Sequence, residues 1–367
     1  MRKNKFLVSL LAVILGFIVG AIVMLATGHN PIEGYTSLLK GAGFLIYSVK
    51  EGDTIIDILF NKRFGDTLLN MTTLVLTGLA VAFAFRTGLF NIGVSGQMLI
   101  GGFIGNLIGA KLDLPFYIHA PLAVIGAVIG GALWAALPGL LKAKFRIHEV
   151  VTSIMMNYVS LWLVYYFVQT FLKGNFETES EIIKTTASLR VNWLTEFFNG
   201  SNVNIGLFLA LAAVILVWFI LDKTTFGYEL KAVGFNIHAS KYAGMKVNRN
   251  MVLAMMISGA LAGLAGAVFY LGYTDNIKIG PPLPAAGYDG IAVALVGLNN
   301  PFGVLLAAFL FGLMNAGSLF MNSAAGVPRE LVSIIIAIIV FFSATSLMFE
   351  SWMDRFKKIF KKNEGGK

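Results

Sequence analysis

The chain has 367 residues, of which 57% are hydrophobic and only 13% are charged. In soluble domains about a quarter of the residues are charged, so this composition excludes a soluble enzyme. A disordered chain has low hydrophobicity, so the mean hydropathy of +0.78 excludes that class too. The absence of cysteine excludes a disulfide scaffold, a thiolate metal site and a cysteine nucleophile. The class that remains is an all-α polytopic membrane protein.

Ten segments are candidates for membrane-spanning helices, because a helix needs about 20 mostly apolar residues to cross a bilayer. They are residues 6–27, 68–85, 89–110, 118–141, 150–172, 203–221, 251–270, 288–298, 302–321 and 331–349. The first follows three basic residues and could be a cleaved signal peptide, but its apolar core is too long, which favours a retained anchor. The eighth is about 16 Å long as a helix, too short for a core of about 30 Å, and predicts a broken or half-depth helix.

The net charge of +9 is concentrated in a few loops. Basic residues predominate at the N-terminus, in 142–146 and in 222–249, whereas acids slightly outnumber bases in 28–67 and 173–202. Because basic loops mark the cytoplasm, this alternation fits ten crossings with both termini cytoplasmic. In the basic tail, 350–367, one helical face has Trp352, Phe356, Ile359 and Phe360, which predicts an interfacial helix on the lipid bilayer and no nucleic-acid site.

Ionisable residues are rare in the predicted spans, although ion-coupled carriers depend on them. His119 is interpreted as an interfacial or a hydrogen-bonded side chain, with a proton relay as the alternative. Asp289 begins the short eighth segment, where a carboxylate suits a helix N-terminus. No Walker A sequence occurs, so any ATP must be bound by another polypeptide. Because sodium can be bound by backbone carbonyls and hydroxyl groups, the scarcity of ionisable residues does not exclude an ion-coupled carrier, which stays an alternative.

The longest loop predicted to be cytoplasmic, 222–250, is the candidate docking surface for such a partner. Gly234 is expected to end one short helix, Asn236 to cap a second, and Gly244 to end that second helix. The small side chain of Ala239 would let the second helix sit in a groove of a soluble partner. A simple basic linker is the alternative.

Two motifs carry a family resemblance. Residues 227–244 have the pattern Gly-x6-Gly-x4-Ala-x2-Tyr-x-Gly, which resembles the cytoplasmic coupling loop of permease subunits of bacterial ABC importers in the branched-chain amino acid, ribose and nucleoside group. Residues 85–97, Phe-Arg-Thr-Gly-Leu-Phe-Asn-Ile-Gly-Val-Ser-Gly-Gln, are similar to the signature of the nucleoside and simple-sugar branch of that group.

The resemblance implies a single permease domain, 1–367, with broken helices and a pseudo-twofold repeated core, as in type II ABC importers. Its parts would be the anchor and outer segment 1–67, a first half 68–202 and a second half 203–349. A faint internal similarity between the regions that begin at Asn91 and Tyr288 agrees with such a repeat. The coupling residues would be Gly227, Ala232, Gly234, Ala239, Tyr242 and Gly244.

The implied partners are a cytoplasmic ATPase that uses ATP and magnesium, an extracellular substrate-binding lipoprotein and a second permease. The second permease is expected to be a different chain, with a homodimer as the alternative. The chain itself would bind no cofactor or metal and perform no bond chemistry. Its four histidines, at positions 29, 119, 148 and 238, form no cluster that would suit a membrane enzyme.

The signature is interpreted as a broken helix, in which Gly88, Gly93 and Gly96 allow tight bends. Its polar side chains, Asn91, Ser95 and Gln97, either face the transport pathway or cap a helix end where small glycines let the helices pack closely. A pathway with little charge suits a neutral solute, and nucleosides fit best. Simple sugars and branched-chain amino acids are the alternatives within the family. The candidate pathway residues are Asn91, Ser95, Gln97, Asn157, Tyr158, Trp162 and Asn315.

Overall fold

The computed structural model describes residues 2–45, 59–278, 280 and 283–345. In these ranges the secondary structure is helical, apart from two isolated β-bridges, Lys173 with Ser180 after α6 and Glu179 with Lys278 after α11. The helices are α1 (Arg2–Ala26), α2 (Pro31–Gly41), α3 (Lys62–Arg86), α4 (Val94–Lys111), α5 (Phe116–Phe145), α6 (Glu149–Phe171), the 3-10 turn Thr185–Ala187, α7 (Asn192–Phe197), α8 (Gly206–Lys223), α9 (Thr225–Phe235), α10 (Ile237–Tyr242), α11 (Val247–Gly272), α12 (Ala285–Val296), α13 (Pro301–Ala325) and α14 (Arg329–Ala344).

Each of the ten predicted segments contains one of these helices, but the count of ten crossings is not confirmed. Among the described residues, seven helices are long and apolar enough to span a membrane: α1, α3, α5, α6, α8, α11 and α13. The helix α12 has 12 residues, which confirms the prediction of a short eighth helix. The predicted tail helix with Trp352, Phe356, Ile359 and Phe360 lies outside the described residues.

The described residues form two compact units, the first from the parts of the chain up to 41 and from 317 onward, and the second from 42–316. In the first unit, α1 packs along α14. Gly16 lies against Ile339 and Gly20 against Ile335, so closely that a Cβ on either glycine would overlap the isoleucine side chain.

The second unit is built around α3, which is more buried than the other spanning helices: 83% of its most apolar window lies inside the protein. Small residues let the neighbouring helices approach closely, as is typical of membrane interiors. A Cβ on Gly263 of α11 would lie 2.2 Å from the carbonyl oxygen of Ala127 in α5, and one on Gly101 of α4 would lie 2.5 Å from the Cα of Gly263. Helices α4, α5 and α11 therefore pack backbone to backbone.

Loops that share a predicted side of the membrane contact one another in the second unit. At one end, three ion pairs join the segments before α5, after α6 and after α11: Lys111–Glu181, Lys184–Asp113 and Arg190–Asp275. At the other end, Arg86 Nε donates to the carbonyl oxygen of Asn299 at 2.9 Å, joining the ends of α3 and α12. These contacts group the loops of the second unit at two ends, and which end faces the cytoplasm stays a prediction from the charge distribution.

Candidate functional site

The signature connects α3 to α4 and does not break a single helix. The helix α3 ends at Arg86, the link 87–93 is irregular, and α4 begins at Val94, five residues later than the predicted start of that segment. The three glycines of the signature differ in backbone conformation and packing. Only Gly88 has a positive φ, +73°, whereas Gly93 is the N-cap of α4 with φ −73°. Gly96 lies inside α4, where a Cβ would be 2.7 Å from Asn157 Oδ1, so its role is close packing and the predicted bend there is wrong.

Asn91 and Gln97 bind each other in the interior. Asn91 Nδ2 donates to Gln97 Oε1 at 2.8 Å, and Gln97 Nε2 donates back to Asn91 Oδ1 at 3.0 Å. Asn91 Nδ2 also donates to Ser258 Oγ of α11, whose hydroxyl donates to the carbonyl oxygen of Ala80 in α3. Both amides are fully or almost fully buried. These contacts join α3, α4 and α11, and they favour the packing alternative for Asn91 and Gln97 over the pathway alternative.

Asn157 of α6 binds the same link. Its Oδ1 accepts from the backbone N–H of Gly96 at 2.9 Å, and its Nδ2 donates to the carbonyl oxygen of Ile92 at 3.0 Å. Asn157 is 1% exposed, whereas its neighbours Tyr158 and Trp162 are 57% and 62% exposed on the outer face of α6. The predicted pathway residues on α6 therefore face two different directions.

Ser95, at the start of α4, is hydrogen-bonded to the start of α12. Its hydroxyl donates to the carbonyl oxygen of Pro284 at 3.0 Å. Two glycines of α12 bring its backbone against the neighbouring helices: a Cβ on Gly287 would lie 2.3 Å from Ser95 Oγ, and one on Gly290 would lie 2.8 Å from the Thr77 backbone. The short helix is therefore fixed both in position and in rotation about its axis.

A cavity of about 420 Å³ lies between α3, α4, α6, α11, α12 and α13, within the range typical of small-molecule sites. It reaches Lys278 and Gly280, at the end of the second unit where the segments after α6 and after α11 meet. Most of the lining is apolar or aromatic, including Phe269, Tyr270 and Tyr273, and the polar lining residues are Asn70, Thr73, Thr274, Asn276, Asp289 and Asn315. Such a lining can enclose a neutral solute that has an apolar ring and several hydrogen-bonding groups.

Of the predicted pathway residues, only Asn315 lines this cavity. Asn91, Gln97 and Asn157 lie in the buried network next to it, and Tyr158 and Trp162 lie on the surface. The sequence reasoning missed Asn70, Thr73 and Asn276. Asn70 and Thr73 lie one turn apart in the predicted span 68–85, and this polar pair at helical spacing could have identified them, although Thr72 and Thr77 of the same span do not line the cavity.

The position of Asp289 corrects another prediction. The helix α12 begins at Ala285, so Asp289 is its fifth residue, beyond the four N–H groups that lack an intrahelical partner. Its carboxylate has no hydrogen bond or ion pair with any residue that the structure describes. The interpretation as a helix-terminal carboxylate is therefore wrong.

The predicted coupling loop contains two helices, α9 and α10. The prediction that Asn236 caps the second is confirmed, since its Oδ1 accepts from the backbone N–H of Ala239 at 3.0 Å. Gly244, with φ +79°, follows α10 as predicted. Gly234 does not end the first helix, because α9 continues to Phe235 and Gly234 lies in its last turn.

The loop is packed on one side and exposed on the other. Leu230 and Val233 of α9 are almost fully buried, and Gly227 lies so close to the end of α8 that a Cβ would be 2.1 Å from the carbonyl oxygen of Ile220. Phe235 and Tyr242 are 90% and 94% exposed. The remaining predicted coupling residues also differ in exposure: Ala232 is half-buried, and Ala239 is exposed.

His119 is buried and bonded through both ring nitrogens. They lie 2.8 Å from Thr186 Oγ1 and 3.0 Å from the carbonyl oxygen of Ile108, which confirms the hydrogen-bonded interpretation and places the ring in the interior. The described ranges contain no group of three or more His, Asp and Glu residues that could hold a metal ion.

Comparison with known proteins identifies the family. The family model described as branched-chain amino acid transport system / permease component matches residues 64–344. The chain belongs to this family. It is therefore a permease component of a transport system, as the two motifs imply.

Several named permeases are similar to the chain. The guanosine ABC transporter permease protein NupP of Bacillus subtilis is 44% identical over 97% of this chain and 98% of its own length. The nucleoside ABC transporter permease protein NupB of Lactococcus lactis is 38% identical over 98% of this chain and 96% of its own length. The guanosine ABC transporter permease protein NupQ of Bacillus subtilis is 29% identical over 67% of this chain and 78% of its own length.

Proposed function

We propose that this permease imports nucleosides across the bacterial plasma membrane as the membrane subunit of an ABC transporter. The observation that carries the proposal is its similarity, over nearly the whole of both chains, to permeases named for guanosine and nucleoside transport. Alternating access of the membrane subunits, driven by ATP hydrolysis in other subunits, would move the solute. The chain would perform no bond chemistry and bind no ATP or magnesium itself.

The cavity supports a neutral solute. Among the described lining residues only Asp289 and Lys278 are charged, and the amides and hydroxyls of the lining match the hydroxyl and base groups of a nucleoside. A simple sugar offers the same hydroxyl groups without the aromatic ring, and it remains the alternative solute together with a branched-chain amino acid. The apolar and aromatic lining favours the nucleoside.

The coupling loop supports a soluble ATPase as partner. In this proposal the exposed surface of α10, with Ala239 and Tyr242, enters a groove of the ATPase, while the buried side of α9 transmits the movement. This assignment requires the loop to face the cytoplasm and both termini to lie there, as the distribution of basic residues predicts. The proposed coupling residues also include Gly227, Ala232, Gly234 and Gly244, which lie in or next to the two short helices of the loop.

A second permease and a binding lipoprotein complete the proposed importer. Bacillus subtilis has two proteins named as guanosine ABC transporter permeases, NupP and NupQ, and this chain is similar to NupP over a greater length. That pair supports a heterodimer in which this chain is the NupP-like member. The extracellular lipoprotein would deliver solute to the end of the permease where the cavity reaches Lys278.

Uptake by intact cells tests the function. We expect deletion of this chain to abolish uptake of labelled guanosine, and unlabelled nucleosides, but not glucose or leucine, to compete in the wild type. Depletion of ATP should stop uptake, whereas collapse of the ion gradients at constant ATP should not. Competition by glucose or leucine would favour the other solutes. Gradient-driven flux through the purified chain alone would favour an ion-coupled carrier.

A further inference from the structure

Asp289 is an ionisable residue that the transport scheme above does not use. It lies in the first half of the short helix α12, partly buried, and lines the cavity of about 420 Å³. The other charged residue of the described lining, Lys278, forms no ion pair with it. An unpaired carboxylate inside a membrane domain is costly, so such groups mark functional sites by default.

The packing of α12 forces this side chain toward the cavity. Gly287 and Gly290 lie against the backbones of α4 and α3, and only glycine allows that approach. Ala285, Ala286 and Asp289 lie on the other face, next to the cavity. The hydrogen bond from Ser95 to the carbonyl oxygen of Pro284 fixes the start of the helix. The carboxylate is thus held on a rigid element and directed at a space large enough for a small solute.

The chemistry of the cavity then restricts what the carboxylate can bind. An ionised carboxylate only accepts hydrogen bonds, so its ligand must offer donors. Two adjacent hydroxyl groups match its two oxygens, as with the acidic residue that binds a ribose hydroxyl in dinucleotide-binding folds. Phe269 and Tyr273 line the same cavity and supply surface for a ring to stack on.

We propose that Asp289 recognises the ribose of the solute in this cavity by accepting hydrogen bonds from its 2′ and 3′ hydroxyl groups. The proposal rests on nucleoside transport, and it goes further by placing a solute site within this single chain. The permease would thus select ribosyl solutes independently of the extracellular lipoprotein.

Solute binding to the purified membrane complex, without the lipoprotein, tests this role. The complex contains this chain, its partner permease and the ATPase, and equilibrium dialysis measures the Kd of guanosine and of 2′,3′-dideoxyguanosine. We expect the wild type to bind guanosine more tightly. Asp289→Asn should raise the Kd of guanosine roughly 10- to 100-fold, as for the loss of hydrogen bonds to a charged group, and leave that of the dideoxy compound within about twofold.

Two further variants serve as controls. Asp113→Asn removes a carboxylate that is 89% exposed outside the cavity, and it should bind both compounds as the wild type does. Asp289→Glu retains the carboxylate and should still distinguish the two compounds. Unchanged dideoxyguanosine binding by Asp289→Asn would show that the complex is folded.

Three results would overturn the proposal. An equal rise in both Kd values in Asp289→Asn would indicate a structural role or contacts with the base. Unchanged Kd values would exclude Asp289 from the site. A wild-type complex that binds neither compound, in cells that still take up guanosine, would overturn the cavity site and leave the transport function intact. A lack of guanosine uptake by wild-type cells would instead overturn the proposed function itself.

Discussion

Gly88 of the signature and Gly234 of α9 are in direct contact. A Cβ added to Gly88 would lie 3.1 Å from the Cα of Gly234, and one added to Gly234 would lie 2.9 Å from the backbone nitrogen of Gly88. The link that follows Gly88 contains Asn91, which binds Gln97, and leads to Ser95, which binds the start of α12 at the cavity. Packed contacts therefore connect the predicted coupling loop to the cavity, and such chains of packed groups can carry energetic coupling between sites.

Gly234→Ala should uncouple ATP hydrolysis from transport. The added methyl group would lie 2.6 Å from the carbonyl oxygen of Arg86, a contact that the backbone must relieve by moving. Because alanine is the better helix former, α9 itself should not be destabilised. We expect guanosine uptake to fall at least about tenfold, while the ATPase activity of the assembled complex persists.

The control for this variant is Gly200→Asn in the loop that follows α7. Gly200 has φ +87°, which asparagine tolerates, and no atom lies within 4 Å of a Cβ there. This variant should transport normally. Normal uptake by Gly234→Ala would show that the contact between Gly88 and Gly234 has no part in coupling.

Ala239→Arg should prevent docking of the ATPase. Ala239 is exposed on α10, and a long charged side chain there would prevent a short helix from entering a groove. We expect loss of ATP-dependent uptake, with normal amounts of the chain in the membrane and a reduced yield of ATPase on purification of the complex.

A matched substitution in another helix gives the control. Ala324, in the last turn of α13, is also exposed, and the loop that follows this helix is predicted to face outward. Ala324→Arg should therefore retain the ATPase and transport activity. Co-purification of normal amounts of ATPase with Ala239→Arg would contradict docking at α10.

The sequence predicted local features and missed those that depend on packing. The lengths of the apolar runs predict the helices, and the side-chain oxygen of Asn236 predicts a helix cap. Both predictions depend only on residues close together in the sequence. Gly234 was mistaken for a helix end because the reason for a glycine there is the backbone of Gly88, 146 positions earlier in the chain. Contacts at such separation leave no periodic pattern in one sequence.

The sequence predicts only part of the candidate site, because the rest depends on contacts between distant parts of the chain. The polar residues of the signature were recognised, but one sequence does not show whether a buried amide faces a pathway or another amide. Asn91 and Gln97 satisfy each other, whereas Asn70 and Asn276 line the cavity from α3 and from the loop after α11. Only the tertiary fold brings those elements together.

Asn91→Leu should lower stability more than it alters solute selection. It removes the partner of Gln97 and leaves buried polar groups unsatisfied, at a cost of about 1–3 kcal/mol for each group. Asn70→Leu is the matched change at the cavity, where the side chain is exposed. We expect thermal unfolding in detergent to shift markedly for Asn91→Leu and little for Asn70→Leu, while guanosine binding weakens more in Asn70→Leu. The reverse pattern would assign Asn91 to the pathway.

Arg190 should stabilise the C-terminal end of α11. Its guanidinium lies 2.9 Å from Asp275, and its Nε donates to the carbonyl oxygen of Gly272 at 2.9 Å. Both side chains of the pair are about two-thirds or more buried, so Arg190→Ala should cost about 2 kcal/mol. The pair Lys111–Glu181 is 45% and 40% exposed, and Lys111→Ala should cost less than about 1 kcal/mol.

The destabilisation by Arg190→Ala should depend on pH in a defined direction. Burial raises the pKa of Asp275 above its usual value, although the adjacent Arg190 lowers it. A raised pKa in the folded state means that stability from this group is present at low pH and is lost as the pH rises through the folded pKa. Without Arg190 the pKa rises further, so the variant loses more stability on ionisation. The difference in unfolding temperature between variant and wild type should therefore be largest at neutral pH and shrink on acidification through the pKa of Asp275. A difference that is independent of pH would attribute the cost to the lost backbone hydrogen bonds alone.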